Sequence, residues 1–162
     1  MALNSIDALA QQLGAALLSS ESKVTTAESC TGGGIAEAIT RIAGSSAWFE
    51  AGFVTYSNAQ KTKMLGVPEN LFTTVGAVSE EVVIAMAKGA LAQSGADFSV
   101  AVSGIAGPDG GTAEKPVGTV WLAWATRNVV ITERADFKGD RTNVREQTVV
   151  RALEKLVELC VA

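Results

Sequence analysis

Apolar residues at Ile6, Leu9, Leu13, Leu17 and Leu18 return at helical spacing and predict an amphipathic helix over about residues 4–20. Lys23 to Glu28 then alternates and is rich in Val and Thr, which predicts a short strand. From about Thr31 the helical period resumes, with Ile35, Ala38, Ile39 and Ile42 on one face and Gly44 as its stop. A second strand is expected from Trp48 to Tyr56. After it Ser57 offers an N-cap and Gly66 a C-terminal stop for another helix. Pro68 to Val78 reads as a connector with room for a short helical piece. Ser79, with Glu80 and Glu81 in the first turn, opens a helix to about Ser94. Phe98 to Val102 is a strand that runs into a long glycine-dense loop. Val117–Thr126 and Val129–Phe137 read as a hairpin joined through Arg127 and Asn128. A final helix from near Asp140 to Cys160 carries Val144, Val149, Leu153, Leu156 and Leu159. Helices alternating with strands, followed by a hairpin, predict an α/β protein: a three-layer α/β/α sandwich around a mixed β-sheet, in one domain over residues 1–162.

Composition narrows the function. Apolar runs are short and interrupted, and none approaches the ~20 residues of a membrane-spanning helix. The N-terminal MALNSIDALAQQLG has no basic n-region and does not read as a signal peptide, so a cytoplasmic location is expected. The formal charge of −4 and the few aromatics argue against nucleic acid as a partner. Cys30 and Cys160 lie far apart with no paired spacing and read as free thiols. With no histidine in the chain, no metal site is expected. A small molecule is the expected partner, and the apolar share leaves room for a homo-oligomer interface.

Four stretches carry candidate chemistry. In TTAESCTGGG a strand ends at a serine and a cysteine, and a glycine turn leads into a helix. That arrangement puts Ser29, Cys30 and the amides of Thr31, Gly32 and Gly33 at the carboxyl edge of the sheet, where open α/β sheets hold ligands. The same residues also suit a strand-to-helix turn with no ligand. In TYSNAQKTKMLG, Lys61 falls near the end of a first helical turn, where dipole and burial both disfavour an ammonium. A neutral lysine is a base, and a chain without histidine can activate a serine that way. The other reading is an exposed surface lysine, as Lys63 is more plainly. Tyr56 belongs either to the core or to the pocket.

SGIAGPDGGTAEKPVG sets Ser103 and the backbone of Gly104, Ile105, Ala106 and Gly107 at another strand end, as candidates to hold a phosphate or sugar. Asp109 suits either a ribose contact or an Asx-turn. In KGDRTNVREQ, Arg141 and Arg145 stand one turn apart near a helix N-terminus, an unfavourable field that an anionic ligand relieves. Pairing with Asp140 or Glu146 on a solvated face is the alternative.

Taken together, TTAESCTGGG, GSSAWFEAGFVTYSNAQKTKMLGV, GAVSEEVV and SGIAGPDGGTAEKPVGTVW closely resemble the CinA C-terminal domain family over nearly the whole chain. CinA is the competence/damage-inducible protein, and free-standing members of this domain are nicotinamide-nucleotide amidohydrolases. The resemblance implies hydrolysis of the carboxamide of nicotinamide mononucleotide (NMN) to nicotinate mononucleotide and ammonia, without a metal or other cofactor. It implies Ser29 as nucleophile, Lys61 as its partner, and Tyr56 and Arg145 as further site residues. Amides around Thr31, Gly32 and Gly33 are then expected to hold the oxyanion, and the Ser103–Gly107 segment with Arg145 the ribose phosphate. Three rivals stand beside this reading. One is Cys30 as nucleophile, since a helix N-terminus lowers a thiol pKa. Another is a different amide or nucleotide substrate. The third is a non-catalytic nucleotide- or protein-binding module linked to competence or DNA damage.

Overall fold

The computed structural model describes residues 2–162, with side chains from residue 5 onward. Elements follow the order α1 (Ala2–Ser19), β1 (Val24–Glu28), α2 (Gly34–Thr40), β2 (Phe49–Val54), α3 (Asn58–Leu65), α4 (Asn70–Thr74), α5 (Glu80–Ser94), β3 (Phe98–Gly104), β4 (Thr119–Ala125), β5 (Val130–Asp136) and α6 (Arg141–Val161). The sheet is mixed, in the order β2-β1-β3-β4-β5: β1 is parallel to both β2 and β3, and β4 and β5 continue antiparallel. Helices α1, α2 and α6 pack together on one face, and α5 covers the other with α3 beside it. This is the expected three-layer mixed-sheet architecture.

Side-chain size differs between the faces, because alternate residues of a strand point to opposite sides. Val100 and Val102 of β3 and Val120, Leu122 and Trp124 of β4 face the α1/α2/α6 layer. Ala101, Ala123 and Ala125, with Ala27 of β1, face α5. Small residues let α5 lie close to the sheet. The approach of α3 to α5 is closer still: a β-carbon on Gly89 would overlap the Leu65 carbonyl at the end of α3.

Local chemistry explains the caps and one shifted boundary. Ser57 and Ser79 accept from Gln60 N and Val82 N, and Asp140 forms a capping box with Asn143. Asp140 is thus occupied as a cap and does not pair with Arg141. Helix α2 starts at Gly34, not near Thr31, and ends at Thr40, before Gly44. Gly32 and Gly33 have φ of +59° and +103°, so the chain there forms a turn that helical geometry forbids. β2 stops at Val54; Thr55 N still donates to Glu28 O at 2.8 Å, and the carbonyls of Thr55 and Tyr56 are left for other donors. The connector holds the short helical piece it had room for, α4.

β1 has β2 on one side and β3 on the other, and the intervening helices lie on opposite faces. Its carboxyl end is therefore a topological switch point, where crevices form. Ser29 sits there, its amide donating to Val102 O at 3.2 Å.

Candidate active site

Alternation along β1 sends neighbouring side chains to opposite layers. Glu28 turns towards α2, and Ser29 turns towards α3, where Lys61 Nζ lies 3.0 Å from its Oγ. Both residues of this pair are nearly inaccessible, Ser29 at 8% and Lys61 at 1% exposure. Lys61 stems from the first turn of α3 and runs back towards the helix N-terminus, the direction that helical side chains take. Its Nζ also donates to Thr55 O at 2.9 Å and Tyr56 O at 3.2 Å, the two carbonyls that the early end of β2 releases. Burial pushes the lysine pKa below its ordinary 10.5, since the ammonium loses its hydration. A neutral amine has two N–H donors and one lone pair. The three oxygens around Nζ suit the three N–H groups of an ammonium; in the neutral form, with both donors on the carbonyls, the lone pair is left for the Ser29 hydroxyl proton.

The surroundings of Cys30 disfavour a thiolate. It is buried in the core under α6, and burial pushes its thiol up to about 12. The expected lowering by a helix N-terminus does not occur. Of the first α2 amides, Gly34 N donates to Thr31 O at 3.0 Å, and Ile35 N and Ala36 N to the Glu28 carboxylate at 2.8 and 2.9 Å, so none is given to the sulfur.

Of the turn amides expected to face an oxyanion, Gly32 N is already spent on Ser29 O at 3.0 Å, closing the turn. Among the described residues no acceptor engages Thr31 N or Gly33 N, and these remain as donors. Ser103 lies within β3, not in the loop, and is buried. Continuing the Glu28–Val102 register by one step sets it beside Ser29 on the same face. Gly104 also belongs to β3, where a side chain would strike Val120. The Ile105 amide is consumed by Thr119 O at 2.9 Å, because the antiparallel ladder extends one residue past the strand. Of the loop amides, those of Ala106 and Gly107 have no acceptor among the described residues.

The two arginines part company. Arg141 is exposed and donates to Gly107 O and to the Tyr56 hydroxyl, each at 2.8 Å, so it joins the glycine loop to the end of β2 across the mouth of the site. Arg145 donates to Thr31 O at 3.1 Å and buries an Nε that has no partner. It leans over Gly32, where a β-carbon would come within 3.2 Å of its Nη2. Neither pairs with Asp140 or Glu146. Behind the turn, Thr31, Gly34, Arg41, Arg145 and Val149 line a cavity of about 230 Å³ between α2 and α6. Tyr56 is a rim residue, 59% exposed, with exposed Val54 near it.

Glu28 is the residue that sequence reasoning passed over. Its side chain is fully buried and accepts from Thr31 Oγ1, Ile35 N and Ala36 N. The signal was available in an acid at the last, inward-facing position of a strand otherwise built of Val, Thr and Ala.

Among the described residues no helix is long and apolar enough to cross a membrane, and no cluster of acids and cysteines has metal-ligand geometry. Comparison with known proteins gives a consistent picture. The model of the CinA C-terminal domain matches residues 6–160. The chain is 66% identical over 157 residues to the nicotinamide-nucleotide amidohydrolase PncC of Pseudomonas putida, covering 97% of this chain and 98% of that protein. It is 59% identical over 149 residues to PncC of Escherichia coli K12, covering 91% and 90%. Among solved structures, the competence/damage inducible protein CihA from Agrobacterium tumefaciens superposes with a TM-score of 0.94 at 50% identity, covering 96% of this chain and 95% of that one.

Proposed function

The chain belongs to the CinA C-terminal domain family, and from that premise we propose that it hydrolyses the carboxamide of NMN to nicotinate mononucleotide and ammonia by acyl transfer through Ser29. The observation that carries the mechanism is the Ser29–Lys61 contact of 3.0 Å, made by a buried amine that two backbone carbonyls also hold. The substrate comes from the two PncC relatives, which match nearly the whole chain at high identity.

Neutral Lys61 takes the Ser29 proton as Oγ attacks the carboxamide carbon, and the carbonyl π electrons move onto oxygen. The Thr31 and Gly33 amides hold that oxyanion; one such donor is worth about 3–4 kcal/mol of transition-state stabilisation in comparable hydrolases. Lys61 then returns the proton to the departing nitrogen, which leaves as ammonia with the C–N electron pair. Water, deprotonated by the same amine, attacks the acyl-serine ester and frees nicotinate mononucleotide and Ser29.

Arg145 holds the Thr31 carbonyl and hence the turn, while the fork of Arg141 meets only neutral acceptors at the mouth. A phosphate offers Arg141 stronger, charge-assisted bonds than a phenol and a carbonyl do. Arg141 therefore receives the 5′-phosphate, with Ala106 and Gly107 amides beside it. Ammonia release from NMN tests the reading. Wild type releases ammonia, and Ser29→Ala and Lys61→Met each lose at least about a thousandfold in kcat. Full turnover in Ser29→Ala ends this mechanism, and an inactive wild type ends the substrate assignment.

A further inference from the structure

A buried acid that takes no part in the proposed steps lies one residue before the nucleophile. Glu28 has no exposed surface, and every partner it has is a donor from the segment that follows Ser29: the Thr31 hydroxyl and the amides of Ile35 and Ala36. A carboxylate is acceptor-only and satisfies all of them at once, whereas glutamine keeps one acceptor oxygen and turns a donor towards the remaining partner. Burying such a group is costly unless its lone pairs are filled, so its retention in the core calls for a reason.

The reason lies in the backbone it holds. Residues 29–33 form a turn with successive positive φ at Gly32 and Gly33, held within itself by Gly32 N on Ser29 O and Gly34 N on Thr31 O. Gly33 offers no side-chain cap to α2. Glu28 replaces it, reaching from the strand end over the turn to clamp the helix start. Strand, turn and helix then move as one body, and the turn amides keep their aim relative to Ser29 Oγ. The same bonds remove Ile35 N and Ala36 N from the pool of donors open to an oxyanion or a phosphate. We infer that Glu28 is a positioning residue for the nucleophile turn, fixing the Thr31 and Gly33 amides against Ser29 from the opposite face of the sheet. This inference rests on the reading of Ser29 as nucleophile.

Three variants and two readouts test it. Glu28→Gln keeps the shape but aims an NH2 group at a donor; Thr31→Val removes the hydroxyl that Glu28 accepts, and Thr31→Ser restores it. For folded Glu28→Gln, kcat on NMN is expected to fall about 10- to 100-fold with KM changed less than about threefold, the pattern of a misaligned transition state. Thr31→Val is expected to lose about fivefold in kcat and Thr31→Ser to recover it. The second readout is the rate constant for labelling of Ser29 by a fluorophosphonate, per folded molecule, which needs no NMN and falls in parallel. Wild-type kcat and labelling in Glu28→Gln overturn the inference, as does a loss confined to KM. If Glu28→Gln does not fold, the Thr31 pair decides: equal rates for Val and Ser overturn it. Wild type that labels at Ser29 but releases no ammonia from NMN counts against the substrate alone and leaves the labelling comparison to judge Glu28. Wild type that does not label at Ser29 removes the nucleophile and this inference with it.

Discussion

Lys61 has 1% of its surface exposed, and under the proposed mechanism its protonation sets the working pH range. Burial lowers its pKa from 10.5, and in the proposed mechanism the deprotonated amine is the base. Activity is thus present above the lowered pKa and lost as pH falls through it. A profile of kcat/KM is expected to show an acid limb whose midpoint lies below that of a free lysine. Lys61→Arg, a cation at every accessible pH, is expected to have no turnover on either side of it. Cys30 behaves oppositely. With its thiol pushed up to about 12, hardly any thiolate exists near neutrality, so Cys30→Ala is expected to keep kcat within about threefold. At the mouth, Arg141→Ala is expected to raise KM for NMN at least tenfold while leaving hydrolysis of nicotinamide riboside, which lacks the phosphate, nearly unchanged. Equal effects on both substrates would show that Arg141 does not read the phosphate.

Elements matter through where they end. β2 stops two residues before Tyr56, and the freed carbonyls of Thr55 and Tyr56 become the seat of the Lys61 amine. The start of α2 is delayed by two left-handed glycines, and that delay makes the turn at which Ser29 is presented. α3, which carries Lys61, is docked by the contact of its last residue, Leu65, with Gly89 in the middle of α5. Gly89→Ala therefore sets two effects against each other. Helix propensity favours alanine by about 1 kcal/mol, but a methyl forced against a backbone carbonyl has no side chain to displace and costs about 1–3 kcal/mol. The clash wins, and α3 must shift. The expected result is modest destabilisation in denaturant unfolding together with a fall in kcat larger than the stability loss explains.

At the scale of the whole molecule, the two faces of the sheet do different work. The face towards α1, α2 and α6 carries the large side chains and most of the apolar burial. The alanine face lets α5 approach and, through α5, sets the height of α3 above Ser29. Adjacent residues of β4 separate the two roles. Leu122→Ala opens a cavity in the large face and is expected to cost about 2–5 kcal/mol of stability with kcat retained in the folded enzyme. Ala123→Leu overfills the small face, costs about 1–3 kcal/mol, and lifts α5 with α3, so kcat is expected to fall sharply. Unfolding curves and turnover on the same pair of proteins check this. If both variants lose stability and kcat in the same proportion, the faces are not specialised.

The layered mixed sheet, the helix faces and the caps at Ser57 and Ser79 were legible in the sequence, because period and capping depend on residues a few positions apart. So were the candidate segments at Ser29, Lys61, Ser103 and Arg141, since glycine turns and strand ends are written locally. What a side chain meets was not. Whether Lys61 lay in solvent or beside Ser29 turned on the packing of α3 against α5 and on where β2 released its carbonyls. The fates of Gly32 N, Ile105 N and the first α2 amides depended on acceptors at Ser29, Thr119 and Glu28 that only the folded chain brings to them. Arg141 and Arg145, alike in sequence as cations on one helical turn, were divided by which carbonyl each could reach. Local sequence determined the elements and the chemistry on offer. Pairing between distant segments decided which donors and acceptors remained free to act, because a hydrogen bond, once closed, removes both its partners from the site.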